Sequence, residues 1–130
     1  MTAVPARHQG GAAVVDFVLV TAVVVPLVLG VIHVGLVLHV RNTLTAAASD
    51  GARLAATADH GPTDGVARTR SVVSGILAGR YAEDVTAQAT SVGGYPGVEV
   101  RVEAEVPALG LFGPSVVVSV EGHAVEEQPP

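Results

Sequence analysis

A single carboxylate near the start of a long apolar stretch is the most unusual chemical group in the chain. Asp16 follows the small and apolar residues 10–15, and no charged residue occurs from Phe17 to Leu38. A carboxylate within a bilayer costs roughly 2.5 to 3.5 kcal/mol at the centre of a helix and less near its ends, and it is normally offset by pairing with a cation. Asp16 is therefore either a residue at the start of the helix in the membrane interface, where a negative charge suits the helix dipole, or a carboxylate that pairs with a cation.

The five histidines do not form a metal-binding pattern. His33 and His39 lie in the apolar stretch roughly 240° apart around a helix, so they are poorly placed to share an ion. A membrane histidine is a candidate functional residue, although contact with a neighbouring helix or with headgroups is the commoner role. His123 alternates with Glu121 on a predicted strand, where a solvated polar edge is commoner than a metal site. We therefore predict neither a metal nor another cofactor.

The composition excludes several classes of function. The 130 residues are 49% hydrophobic but only 3% aromatic, they include no Trp or Cys, and the formal net charge is -5. Nucleic-acid binding is disfavoured because the seven basic residues, all arginines, are dispersed. No nucleophile elbow, phosphate loop or dinucleotide fingerprint is present. The chain is therefore not expected to be an enzyme, and no catalytic residue is assigned.

A transmembrane helix is the first element that the sequence predicts. At about 1.5 Å per residue, roughly 20 residues cross a hydrocarbon core about 30 Å thick, and the apolar stretch is long enough to do so. It exceeds the roughly 7 to 15 apolar residues of a secretory signal, although "TAAAS" at 45–49 leaves a signal-peptidase site as an alternative. We assign the polar residues 1–10 to a leader or tail and the uncharged run at 17–38 to the transmembrane helix, in which Pro26 removes a helix hydrogen bond and favours a kink.

Two helical segments are predicted after the membrane. The first continues over residues 41–58 and places small side chains on one flat face, which suits close packing: Leu44, Ala48, Gly51, Ala52 and Ala55. Residues 59–62, "DHGP", are then predicted to end this helix. A second, amphipathic helix is predicted over residues 63–82, with a stripe formed by Val66, Val73, Ile76, Leu77 and Arg80 or Tyr81.

Beyond residue 82 the apolar period changes from helical to alternating. Residues 98–106, "VEVRVEAEV", alternate valine or alanine with charged residues and predict a strand whose charged face meets water. Residues 85–92 and 115–125 predict a strand on each side, which gives a three-stranded antiparallel meander. The intervening loop carries Leu109, Leu111 and Phe112, which we expect to cover the sheet. The α+β domain then spans residues 41–125, and residues 126–130 are a disordered tail.

Two motifs in the N-terminal half resemble those of a known family. "GAAVVDF", Gly11 to Phe17, resembles the processing site of type IV prepilin-like proteins, with a glycine before the cut and an acidic residue at the fifth position of the product. "RNTLTAAASDGARLAA" at 41–56, after a single span, resembles the TadE-like minor pseudopilins of tight-adherence (Tad, or Flp-type) pilus systems. The chain departs from many prepilins in carrying Asp rather than the longer Glu at the acidic position.

The resemblance implies a processing step and an assembly role. An aspartic prepilin peptidase would cut between Gly11 and Ala12, which makes residues 1–11 a prepilin-type leader and residues 12–40 the transmembrane helix. The new amine of Ala12 would pair with Asp16 of a neighbouring subunit. The assembly residues are then Asp16 and Phe17 in a pilin-like α+β protein.

The expected function is that of a structural minor pseudopilin in a Tad pilus or a related secretion apparatus. Its partners would be membrane lipid, the peptidase, other pilin or pseudopilin subunits and the Tad machinery. The resemblance places the N-terminus in the cytoplasm and residues 41–125 outside it, because charge alone does not decide the orientation. The alternative is a generic single-span protein with a binding or regulatory domain, which an intact leader would favour.

Overall fold

The computed structural model describes residues 9–108 and 114–128. Along the chain it contains helix α1 (Gln9–Ala55), helix α2 (Pro62–Ile76), a 3₁₀ helix (Gly79–Ala82), and strands β1 (Asp84–Val92), β2 (Tyr95–Val106) and β3 (Val116–Val125). The strands form one antiparallel sheet in the order β1-β2-β3. This architecture confirms the predicted α+β, pilin-like fold. The predicted covering loop residues Leu109, Leu111 and Phe112 lie outside the described residues.

Helix α1 joins the apolar stretch to the domain without a break. It runs for 47 residues, and Pro26 lies inside it. Among the described residues it is the one helix that is long and apolar enough to cross a membrane, and none of its most apolar 18-residue window is buried against the rest of the chain. The apolar part is therefore unlike the core helix of a globular domain, which buries its apolar residues.

The second half of α1 carries the core of the domain. The predicted face of Leu44, Ala48, Gly51, Ala52 and Ala55 is buried, which confirms the interpretation of this segment. Burial begins earlier than predicted, because Val40 is fully buried and Leu36 and Val37 pack partly against the core. The last turns of the predicted span are therefore also the first turns of the domain core.

The two helices pack so closely that only small residues fit between them. A Cβ atom added to Gly51 would lie 2.6 Å from the carbonyl oxygen of Gly65, and one added to Gly65 would lie 2.9 Å from that of Gly51. Thr69 is fully buried beside this contact. Its hydroxyl donates to the carbonyl oxygen of Gly65 at 2.8 Å, and the carbonyl oxygen of Ala47 lies 3.3 Å from the same hydroxyl. The contact satisfies the buried hydroxyl and fixes the two helix axes close together.

Helix α2 is shorter than its predicted span of residues 63–82. It ends at Ile76, and Leu77 takes an extended conformation (φ −114°, ψ 170°) before the 3₁₀ turn. Tyr81 is buried as predicted, but Ile76 is 62% exposed, so its place in the predicted apolar stripe was wrong. The stripe fails there because the buried side of α2 follows its contact with α1, through Gly65, Thr69 and Val73.

The sheet packs on α1, and its strand β2 shows the predicted alternation of buried and exposed residues. Its inward residues are buried, namely Val98, Val100, Val102, Ala104 and Val106. A two-residue turn with positive φ at Gly93 (58°) and Gly94 (88°) joins β1 to β2, which explains the glycine pair. After β3, the amide of Glu126 donates to the carbonyl of Pro96 and that of Glu127 to the carbonyl of Ala56, both at 2.9 Å. The start of the predicted tail is thus hydrogen bonded to the domain.

Candidate assembly surface of the N-terminal helix

The predicted processing and assembly residues all lie at the start of α1. Gly11, Ala12, Asp16 and Phe17 are helical and exposed, and Phe17 is 73% exposed. Ala12 and Asp16 are four residues apart and so share one face of the helix. Because helical side chains lean towards the N-terminus, the Asp16 carboxylate is directed towards the level of Ala12. The structure therefore brings the carboxylate to the end of the helix where cleavage would create an amine.

Asp16 has no cationic partner among the residues that the structure describes. No arginine or histidine nitrogen of these residues lies within 4 Å of its carboxylate. The first arginine after it is Arg41, at the far end of the apolar stretch. A pairing role for Asp16 would thus draw on a cation other than those of residues 9–108 and 114–128.

The apolar part of α1 presents a groove to its surroundings. Pro26, Leu27, Gly30, Val31 and Val34 line a shallow depression along one side of the helix. Gly30 has nothing near its missing side chain, so the backbone can be approached closely there, as at many contacts between membrane helices. The surface suits a second apolar helix better than a polar ligand, because the depression contains no charged side chain.

The two histidines of the apolar stretch do not form a site together. His33 is half-buried and its Nδ1 atom is shielded without a hydrogen-bond partner, whereas His39 is exposed. They lie on different sides of the helix, as their spacing indicates. The structure therefore assigns them no shared chemistry.

A charged cluster lies on the outer face of the sheet. The sequence placed His123 beside Glu121, and the register adds Glu99, which lies directly opposite His123. Ligand atoms of these three residues lie within 4.8 Å of one another, and His123 Nε2 is 3.0 Å from Glu99 Oε2. The guanidinium of Arg101 contacts the carboxylates of both Glu99 and Glu121 and already supplies them with a cation. We interpret the cluster as a surface ion network, which contributes little to stability.

Sequence reasoning missed Glu99 as a member of this cluster. Its alternation with Val98 and Val100 indicated only that it faces outward. The signal that pairs it with His123 is the register of β2 against β3, and a loop of uncertain length separates those strands in the sequence. A turn of defined type, such as that at Gly93 and Gly94, fixes register, whereas a long loop does not.

Comparison with known proteins gives a family match that is confined to the N-terminal helix. The family model described as "TadE-like protein" matches residues 11–53, so the whole match lies within α1. It begins at the glycine of the predicted processing site. No curated protein and no solved structure matches the chain.

Proposed function

Because residues 11–53 carry the TadE-like family sequence, we propose that the chain is a structural minor pseudopilin of a Tad/Flp-type pilus or a related secretion apparatus. It is processed by a prepilin peptidase and assembled with other pilin-like subunits through its N-terminal helix. One observation carries the proposal: the family match coincides with a single helix whose most apolar 18-residue window is not buried against the rest of the described chain.

The exposure of the apolar residues of α1 supports anchoring in a membrane. Side chains such as Phe17, Val23 and Val31 are each at least 67% exposed, an arrangement that water disfavours strongly. A bilayer or the apolar helices of neighbouring subunits would cover them. We propose that the N-terminus lies in the cytoplasm and that residues 41–125 form the exported domain.

The packing of α1 supports cleavage near Gly11 over cleavage near Ser49. Val40, Leu44 and Ala47 are all fully buried in the domain core, and a cut before Ser49 would remove them. Gly10 and Gly11, by contrast, have nothing within 4 Å of where a side chain would stand. A cut after Gly11 would thus keep these buried residues in the domain, whereas a signal-peptidase cut within "TAAAS" would remove Val40 and Leu44 from its core.

The glycine pair also makes the first turn of α1 easy to open. Glycine within a helix is roughly 1 kcal/mol less favourable than alanine, so residues 10 and 11 weaken the end of the helix. A peptidase must reach the carbonyl of Gly11, which a helical turn shields. The two glycines would lower the cost of unwinding that turn in the peptidase site.

Gly11→Val tests the processing step. We expect the variant to retain residues 1–11, because a branched side chain would crowd the peptidase site, whereas the wild-type chain should begin at Ala12. The measurement is mass spectrometry of the N-terminus of protein taken from its native membrane. Gly35→Val is the matched control, since Gly35 also lies in α1 with nothing within 4 Å, and this variant should be processed normally.

A wild-type chain that keeps residues 1–11 would contradict the processing step and favour the alternative of a single-span binding or regulatory protein. A chain that begins near Ser49 would instead show that the apolar stretch acts as a signal sequence. Processing of Gly11→Val at the wild-type rate would show that the peptidase does not recognise Gly11.

A further inference from the structure

The contacts that α2 and β3 make with α1 determine the position of each element along the axis of α1. On one side, Gly65 contacts Gly51 and the Thr69 hydroxyl lies 3.3 Å from the carbonyl of Ala47, so α2 runs antiparallel to α1. On the other side, Gly122 lies against Ala48 and the Glu127 amide bonds the carbonyl of Ala56. Strand β3 therefore runs in the same direction as α1, and it begins at the end of the domain that is nearest the apolar stretch.

The end of α2 reaches the level at which the apolar stretch of α1 finishes. At about 1.5 Å per residue, Ile76 lies about 10 Å beyond Thr69 along the axis of α2. Because α2 is antiparallel to α1, this distance brings Ile76 from the level of Ala47 to about the level of Val40. Ile76 is 62% exposed there, and its side chain faces away from the core.

The start of β3 reaches the same level on the other side of α1. A strand rises about 3.3 Å per residue, so Val116 lies up to about 20 Å before Gly122. On α1 that distance equals at most about 13 residues, counted from Ala48 towards the N-terminus. Because an inclined strand covers less of this distance along the helix axis, Val116 lies at about the level of residues 35–40. Val117 is 68% exposed at this end. The partial burial of Leu36 and Val37 against the core agrees with this level.

A bilayer that holds the apolar stretch must also reach this level. If Asp16 marks one boundary, roughly 20 residues cross the hydrocarbon core and the other boundary falls near Leu36. The headgroup region continues for several ångströms beyond it, to about Val40 and Arg41. Because α1 is continuous, no linker can lift the domain away from that surface.

We propose that this end of the domain is a membrane-contact surface, in which Ile76, Val116 and Val117 rest in the interface between headgroups and acyl chains. The inference relies on the proposed membrane anchoring of α1, and it adds the exported domain itself as a lipid-binding element. Glu105 lies opposite Val117 on the sheet and is exposed, so its carboxylate would remain at headgroup depth.

The other end of the domain provides the comparison. Tyr95 (61% exposed) and Val125 (48%) are also apolar and exposed, but they lie beside the Gly93–Gly94 turn and the tail that bonds Ala56. This end is about 24 Å further along α1 than Val40, counting 16 residues at about 1.5 Å each. It lies beyond the reach of the same bilayer surface and should contact water.

Spin labels would test the proposal directly. The chain has no cysteine, so Ile76→Cys, Val117→Cys and the control Val125→Cys each provide one labelling site on the full-length protein. Each labelled chain is placed in phosphatidylcholine nanodiscs at one chain per disc. We expect the labels at 76 and 117 to be several-fold less accessible to a water-soluble nickel complex, and more accessible to oxygen, than the label at 125.

Equal nickel accessibility at all three positions, with the chain retained in the discs, would overturn the membrane contact while leaving the anchor intact. Protection that appears only when several chains share a disc would show a protein interface instead of lipid and would also overturn the proposal. A chain that does not remain in the discs would overturn the anchoring and this inference together.

Discussion

Asp16→Ala is expected to abolish assembly while leaving membrane insertion and cleavage after Gly11 intact. Insertion should be unchanged or slightly better, because the variant no longer places a carboxylate in the membrane. Cleavage should continue because the glycine and its small neighbours remain. Assembly should fail because the amine of Ala12 on a neighbouring chain would lose its partner, and breaking a pair of this kind in a low-dielectric site costs roughly 3 to 5 kcal/mol.

The measurement is crosslinking of the processed variant to its fibre partners, beside wild type at equal abundance in the membrane. Asp16→Glu is the matched control, and it should assemble because it keeps the charge and adds reach. Asp16→Asn should fail nearly as completely as Ala, which would separate charge from side-chain volume. Incorporation of the processed Asp16→Ala variant at the wild-type level would contradict the pairing role and show that Asp16 is only an interfacial residue at the start of the helix.

Gly122→Val is expected to prevent β3 from packing on α1. Even a single Cβ at this position would lie 2.6 Å from the carbonyl oxygen of Ala48 and closer still to the adjoining backbone atoms. Backbone lies on both sides of the contact, so no side chain can move aside. Overpacking of this kind typically costs about 1 to 3 kcal/mol for small additions, and a branched side chain should exceed that range.

Hydrogen exchange of the β3 amides in the full-length, detergent-solubilised chain would report this loss. The variant should exchange these amides at rates near those of an unfolded chain. Gly75→Ala is the control, because Gly75 lies within α2 with open space around it and should gain about 0.5 to 1 kcal/mol of stability. Wild-type protection in Gly122→Val would show that β3 does not lie against Ala48.

The sequence predicted those features that depend on local pattern. The alternation of β2 and the small-residue face of α1 both follow from a repeat of side-chain character along one element, and both were confirmed. The continuity of α1 was also predictable, because no break occurs between Leu38 and Leu44. These predictions did not require knowledge of any other element.

Features that depend on two distant elements were predicted poorly. Ile76 fits an apolar stripe, yet it is exposed because the contact at Gly51 and Gly65 decides which side of α2 is buried. Glu99 meets His123 only through the register of β2 against β3. Likewise, the position of Asp16 was evident from the sequence, but the partner proposed for it belongs to a neighbouring chain.

The continuity of α1 has a mechanical consequence. A rod of 47 helical residues is about 70 Å long and contains no flexible joint between the membrane segment and the domain. Any torque applied to the domain is therefore transmitted along the axis and rotates the face that carries Asp16. In the proposed topology, a subunit that binds the domain would therefore set the rotational position of the Asp16 carboxylate at the opposite side of the membrane. Contacts outside the cell and the proposed charge pairing inside it would then be coupled through the rotation of one helix.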